Sequence, residues 1–324
     1  MSSAQQRKRF SNIDNTGFGN NSSVEGGRLV NRDGSTNLKK RGIPIWKRIS
    51  IYHMLLRMDR GNFFLAILLF YTTANIIFAS IYFLLGVNNL SGIDQTHSLF
   101  DQFMAAFFFS SQTLTTVGYG HVAPSGLLTN ITASIESLLG ILSFAVVTGL
   151  IYGRFSRPRA YLAFSDNLLI APYKEGRALM LRIATYKNNH LTDAQAELTL
   201  ALHVDDNGRR MTRFYPLPLE IQKVASLALS WTIVHHINEE SPLYSFDEED
   251  IDESKMEVIV AIKAFDDHFS NVVQQRTSYT YHQVKFGARF LPMFERSESG
   301  DYTLLELDKI DLHESVKLPK RALA

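Results

Sequence analysis

TLTTVGYGH, residues 113–121, sets some of the most flexible backbone in the chain inside its most hydrophobic region. The stretch holds two glycines and no Asp, Glu, Lys or Arg. It follows FDQFMAAFFFSSQ (100–112), too short to cross a membrane fully, and precedes a second apolar segment from Leu127 to Gly153. Upstream, NFFLAILLFYTTANIIFASIYFLL (62–85) is 24 residues without a charge. As a helix it spans roughly 36 Å at about 1.5 Å per residue, enough for an apolar bilayer core of about 30 Å. The second span is less pure: Thr129, Asn130, Thr132, Ser134, Glu136, Ser137, Ser143 and Thr148 interrupt it. Such a polar face points at protein or water rather than lipid.

The charges agree with two crossings. From Asn62 to Gly153 there is no Lys or Arg, whereas residues 28–60 carry Arg28, Arg32, Lys39, Lys40, Arg41, Lys47, Arg48, Arg57 and Arg60, and Arg154, Arg157 and Arg159 follow at once. A cation-free gap bracketed this way marks a multi-pass membrane region with both ends on the cytoplasmic side, here of the plasma (inner) membrane. Ile45 to Met58 mixes apolar residues with Lys47, Arg48 and Arg57, as an amphipathic interfacial helix does; a basic juxtamembrane loop is the plainer alternative. Total charge is balanced, 33 Lys+Arg against 32 Asp+Glu, and selects no partner such as a nucleic acid. The absence of cysteine excludes disulfides and thiol catalysis. Residues 1–27, rich in Ser, Asn, Gly and Gln, read as a disordered cytoplasmic segment without the apolar core of a signal peptide.

Non-helical backbone at membrane depth is tolerated only when protein buries it or it lines a cavity. One subunit with two helices cannot surround residues 113–120; a symmetric assembly can. In a ring of four, carbonyls of Thr116 to Tyr119 and the Thr116 hydroxyl would face the axis and replace the water shell of a cation. Gly118 and Gly120 permit backbone angles that let successive carbonyls face one way. The short preceding helix would point its negative end at the same cavity.

From about Tyr161 the pattern changes to β. ELTLALHV (197–204) alternates strictly, MEVIVAIK (256–263) and SLALSWTIVH (226–235) are further β-like runs, and Asp205-Asp206-Asn207-Gly208 signals a hairpin. Several short strands over about 150 residues argue a β-sandwich. DEEDIDE (247–253) lacks the spacing of a calcium loop and reads as a solvated loop. His235-His236 falls in an expected strand with no nucleophile or metal set nearby, so no enzyme is read here.

Set between two spans, Thr116-Val117-Gly118-Tyr119-Gly120 resembles the potassium-channel selectivity filter. Four separated stretches narrow the resemblance to inward-rectifier potassium channels of the prokaryotic type: NRDGSTN (31–37), GRFSRPRAYLAFS (153–165), GRALMLRIATYKNNHL (176–191) and SWTIVHHINEESPLY (230–244). The resemblance covers roughly residues 28–310. It implies a homotetramer, a membrane α + β fold with a two-helix pore and re-entrant pore helix, and a cytoplasmic immunoglobulin-like β-sandwich. The implied layout is an N-terminal segment 1–44, slide helix 45–58, pore domain 59–153 (outer helix 62–85, pore helix 100–112, filter 113–120, inner helix 127–153), linker 154–160 and β domain 161–324. No cofactor is implied beyond potassium as the permeant ion.

Two departures stand out. The cysteine pair and the glutamate–arginine pair that flank the filter in animal members are absent, with Gln112 and Val122 at the latter places. The inner-helix position where strong rectifiers carry an acid aligns with Phe144, so weak polyamine block is expected. Thr148 and Glu136 complete the expected cavity set. Glu136 either raises local cation concentration or is a buried, hydrogen-bonded acid behind the filter. In the β domain the family's acid positions fall at Arg213 and Asp267. Tyr152 sits where the family places its gate, flanked by Gly149 and Gly153; an interfacial belt residue is the alternative. Lys47, Arg48, Arg154, Arg157 and Arg159 match the family's anionic-lipid cations, which plain positive-inside anchoring also explains. A potassium-uptake transporter would join four such units in one chain with one-glycine filters, and a membrane-anchored β-sandwich binding protein would need no filter.

Overall fold

The computed structural model describes residues 28–39, 41–44, 50–93, 98–206 and 209–319. They form two compact units, one within residues 40–157 and one joining the described residues up to Lys39 with those from Pro158 onward.

The first unit is helical. α1 (Ile51–Arg57) is capped by the Ser50 hydroxyl, which accepts from the His53 N–H. Residues 45–49 of the expected interfacial helix lie outside the described residues. α2 (Arg60–Leu85) and α4 (Leu127–Phe155) are each long and apolar enough to cross a membrane. Between them stands α3 (Leu99–Leu114), started by Ser98, whose hydroxyl accepts from the Asp101 N–H. α3 therefore runs two residues past the expected end at Gln112 and absorbs Thr113 and Leu114. Tyr82 of α2 and Phe109 of α3 meet edge to face at 5.0 Å. A short strand pair, β1 (Leu90–Ser91) with β2 (Ala123–Pro124), ties the loop after α2 to the chain entering α4.

α4 crosses α3 at closest approach through Gly140. A Cβ placed there would lie 1.9 Å from the Leu114 carbonyl oxygen. Only hydrogen fits.

The second unit is a sandwich of two five-stranded sheets. One orders β11 (Asn271–Thr280), β10 (Glu257–Asp266), β6 (Leu191–Asp206) and β7 (Arg209–Leu217), with β8 (Lys223–Ser226) also on β6. The other orders β12 (Val284–Phe286), β4 (Leu168–Tyr173), β5 (Gly176–Thr185) and β3 (Leu162–Phe164), with β9 (Trp231–Ile237) also on β5. Alternation decides what is buried: Leu198, Leu200 and Leu202 of β6 and Val258, Val260 and Ile262 of β10 share one core with Leu179, Leu181 and Ile183 of β5. Each such side chain contributes about 1.5–3 kcal/mol on burial. Short pairs β13 (Ala288–Phe290) with β16 (His313–Ser315), and β14 (Phe294–Arg296) with β15 (Thr303–Leu305), complete the unit.

Two expectations are corrected here. DEEDIDE is not a loop: residues Glu248–Glu253 form a helix, α5, because Asp247 and Asp250 cap each other's N–H and Ile251 is buried in the core. Residues 226–235 are not one strand, since β8 ends at Ser226 and β9 begins at Trp231. Residues 28–39 of the N-terminal segment pack within the β unit. Leu29 and Val30 donate their N–H groups to the buried Glu257 carboxylate at 2.8 and 3.2 Å, and Val30 packs on Ala201, Phe214 and Ile259. The Asn31–Ser35 turn needs Gly34 at φ 81°, pressed against the Arg276 carbonyl.

His235 is buried in β9 with both ring nitrogens engaged, Nδ1 with the Pro218 carbonyl at 2.7 Å and Nε2 with the Ser241 hydroxyl at 2.8 Å. The carbonyl can only accept, so Nδ1 carries the proton and Nε2 accepts. Burial pushes this imidazole below its ordinary range; the Pro218 hydrogen bond opposes that and His236 adds to it.

Two outcomes follow from this packing. In thermal unfolding of the detergent-solubilised chain, Gly140→Ala should lose about 3 kcal/mol or more from the backbone clash. Gly149→Ala, with open space around it, should instead lose nothing and gain up to about 1 kcal/mol. The stability His235 gives is present above its unfolded value of about 6.5 and is lost as pH falls through the lower folded value. Denaturant titrations at pH 7.5 and 5.5 should show a loss of stability on acidification, flattened in His235→Gln.

Candidate functional site

The C-terminus of α3 leaves carbonyls without helical partners, and the next residues use them. Thr116 N–H donates to the Thr113 carbonyl at 3.0 Å, and the Gln112 carbonyl accepts from both Val117 (2.9 Å) and Gly118 (3.3 Å). The chain then alternates: Thr116, Gly118 and Gly120 have φ of 59°, 51° and 80°, while Val117 and Tyr119 keep negative φ. Alternating left- and right-handed residues turn successive peptide planes the same way, so N–H groups gather on one side and carbonyls on the other. A β-branched residue at positive φ is strained, and Thr116 holds that strain here. All five residues are exposed on the isolated subunit, Tyr119 at 78%.

Behind this turn lies a polar network centred on a buried acid. Glu136 of α4 is fully buried, accepting from the Tyr82 hydroxyl at 2.6 Å and from the Ser110 hydroxyl of α3 at 2.5 Å. Ser110 also lies 3.1 Å from Asn75 Oδ1, and Asn75 donates to the Tyr71 carbonyl at 2.8 Å. The Tyr71 hydroxyl reaches Ser111 at 2.5 Å. Three helices are thus joined through one carboxylate. This corrects the placement of Glu136 in the cavity set: it is the hydrogen-bonded acid between helices, not a lining residue. The reason is helical phase. Phe144, Thr148 and Tyr152 recur every four residues and are all exposed, Phe144 at 76% and Tyr152 at 73%. Each four-residue step turns the helix by roughly 40°, so Glu136 stands about 120° from Thr148 and about 160° from Tyr152.

The two places flanking the turn are neutral. Gln112 serves through its backbone carbonyl, and Val122 packs against the cluster of Ala79, Tyr82, Leu90, Ala106 and Phe109. Tyr82, Ser110, Asn75 and Gly140 carry weight that their types alone did not announce. The signal for Gly140 was a glycine inside a spanning helix, a position where it costs stability unless something must come close.

Among the expected lipid residues, Arg154 is half-buried, its Nη1 donating to the Leu55 carbonyl at 3.3 Å and its guanidinium 5.0 Å from the Phe63 ring centroid. Arg157 and Arg159 are exposed. Lys47 and Arg48 lie outside the described residues. In the β unit, Arg213 pairs across from Leu202, whereas Asp267 follows Asp266, which pairs with Leu191. The two therefore stand at opposite ends of β6 and are not brought together within one subunit.

Residues 162–324 match the family model of the inward rectifier potassium channel C-terminal domain, and residues 65–157 match an ion channel model. The chain is 32% identical over 277 residues to the inward rectifier potassium channel Kirbac3.1 of Paramagnetospirillum magnetotacticum, covering 84% of this chain and 91% of the relative. It is 27% identical over 245 residues to the G protein-activated inward rectifier potassium channel 4 of Mus musculus, covering 71% of this chain and 54% of the relative. These relatives are ion channels and not enzymes. A two-span pore unit carrying the alternating turn, joined in one chain to a β-sandwich that matches along its length, belongs to the inward-rectifier potassium channel family.

Proposed function

We propose that four copies of this chain form a potassium-selective pore in which Thr116, Val117, Gly118, Tyr119 and Gly120 bind the permeant ion. The observation that carries this reading is the alternation of φ from Thr116 to Gly120 at the negative end of α3. It supplies a row of carbonyls oriented alike, which is what a dehydrated cation needs. The tetramer is supported by what a single copy leaves bare: Val117 and Tyr119 are exposed on non-helical backbone, and neighbours must cover such backbone in a bilayer. Both termini lie on the cytoplasmic side, in keeping with the bracketing cations.

Along the stripe below the filter, Phe144 and Thr148 line the cavity and Tyr152 forms a ring that closes the path by dewetting. Phe144 offers no charge to a blocking polyamine, so rectification is weak. Anionic lipid acts through Arg157 and Arg159, with Lys47 and Arg48 contributing cations from the preceding interfacial segment. Arg154 instead holds the end of α4 to α1 and α2. Asp267 and Arg213 set the charge along the cytoplasmic part of the conduction path.

Rubidium uptake into liposomes carrying the full chain tests the reading. Uptake should be blocked by external potassium and not by sodium; equal competition by the two ions overturns the filter assignment. Tyr152→Ala should raise uptake several-fold with selectivity kept, and an unchanged rate would remove Tyr152 from the gate. Titrating anionic lipid should change wild-type uptake, and the Arg157→Gln, Arg159→Gln pair should flatten that response by about tenfold in lipid concentration; a wild-type curve retained in the double variant removes the lipid site.

A further inference from the structure

The turn that follows α3 is aimed from α3 itself. Each backbone N–H shares a rigid plane with the carbonyl of the residue before it. The Val117 and Gly118 N–H groups reach the Gln112 carbonyl at 2.9 and 3.3 Å, and so fix the planes that hold the Thr116 and Val117 carbonyls. Gln112 stands two residues after Ser110 on one continuous helix, so a shift of α3 at Ser110 is carried to that carbonyl. Ser110 is where the buried network grips α3: its hydroxyl lies 2.5 Å from Glu136 Oε1 and 3.1 Å from Asn75 Oδ1. Ser110, Glu136 and Asn75 are all fully buried within one subunit.

The hydrogens available to this network show what it needs from Glu136. Asn75 donates through Nδ2 to the Tyr71 carbonyl at 2.8 Å, which turns its Oδ1 toward Ser110. The Ser110 hydroxyl has one proton to give, two acceptors within reach, and lone pairs of its own. Opposite a carboxylate it donates to residue 136; opposite an amide Nε2 it accepts and turns its proton to Asn75. Tyr82, 2.6 Å from the other oxygen, donates in both arrangements. A carboxylate and a carboxamide of equal length therefore both keep the two hydroxyls partnered. A shorter side chain strands them in a buried place.

We infer that Glu136 is a positioning residue for ion selection, acting through Ser110 and α3 on the aim of the Thr116 and Val117 carbonyls, and that it acts by hydrogen-bond reach and not by charge. The inference rests on the filter proposed above. It makes the potassium preference depend on a side chain that never meets the ion.

The test is the reversal potential of the full chain in planar bilayers with potassium on one side and sodium on the other. This potential reads the permeability ratio whatever the number of channels present, so a variant that merely folds less well leaves it unmoved. Glu136→Gln should keep the wild-type ratio within about twofold. Glu136→Asp, one methylene shorter, should lower it about tenfold, and Tyr82→Phe at least about threefold. Tyr82→Phe keeps the ring that packs on Phe109, so it decides the matter if Glu136→Asp yields no channel. A wild-type ratio in Tyr82→Phe, or in Glu136→Asp where it conducts, overturns the positioning role. A ratio that falls as far in Glu136→Gln as in Tyr82→Phe overturns reach in favour of charge. A wild-type channel that does not prefer potassium would instead overturn the filter reading itself.

Discussion

A peptide chain that leaves regular secondary structure inside a bilayer must give every N–H and C=O another partner, and the rest of this pore unit is arranged around that requirement. The Gln112 carbonyl answers the first part by taking the N–H groups of Val117 and Gly118. That draws the donors back toward α3, and in the proposed filter the carbonyls face the other way, toward the ion. Positive φ at Thr116, Gly118 and Gly120 is the conformational cost, low at the glycines and carried as strain at the threonine.

Strain of this kind persists only where the surroundings over-determine it. A flanking charge pair could have supplied the brace, but Gln112 and Val122 cannot form one. The load passes to Glu136, with Tyr82 and Ser110 on its two oxygens and Asn75 beside Ser110. A buried carboxylate is costly unless its lone pairs are met, so this brace holds α2, α3 and α4 in one mutual position or fails. Gly140 sets the depth of the same contact by letting α4 touch the Leu114 carbonyl. The proposed filter is therefore held from behind by a neutral hydrogen-bonding shell around one acid rather than by a salt bridge at its edges.

Much of this fold was legible because hydrophobic period and charge act locally. The uncharged run 62–85, the cation-free gap to Gly153 and the alternation of 197–204 each follow from one neighbour's relation to the next, and the family strings extended them to a fold. What escaped were long-range pairings. Nothing near residue 257 shows that its carboxylate receives Leu29 and Val30. Nothing in DEEDIDE beyond a possible capping pair shows that Ile251 is drawn into the core, which makes a helix of a charged run. For Glu136, both readings were open at the level of sequence, because the choice depends on which way one helix is rotated.

That rotation divides α4 into two working halves. A strict four-residue spacing does not keep side chains on one line; it advances them by roughly 40° per step. Starting from Glu136, the series passes through Gly140, Phe144, Thr148 and Tyr152. Its first two members face the other helices, one as an acceptor and one as a gap, and its last three are exposed. The same helix therefore fixes the filter with its upper turns and presents a bare stripe with its lower ones. In the proposed tetramer, a movement of the lower half would change the width at Tyr152 without requiring the hydrogen bonds at Glu136 to open. Gly149, with open space around it, lies between the stripe and the last buried contact at Leu150, where bending costs least.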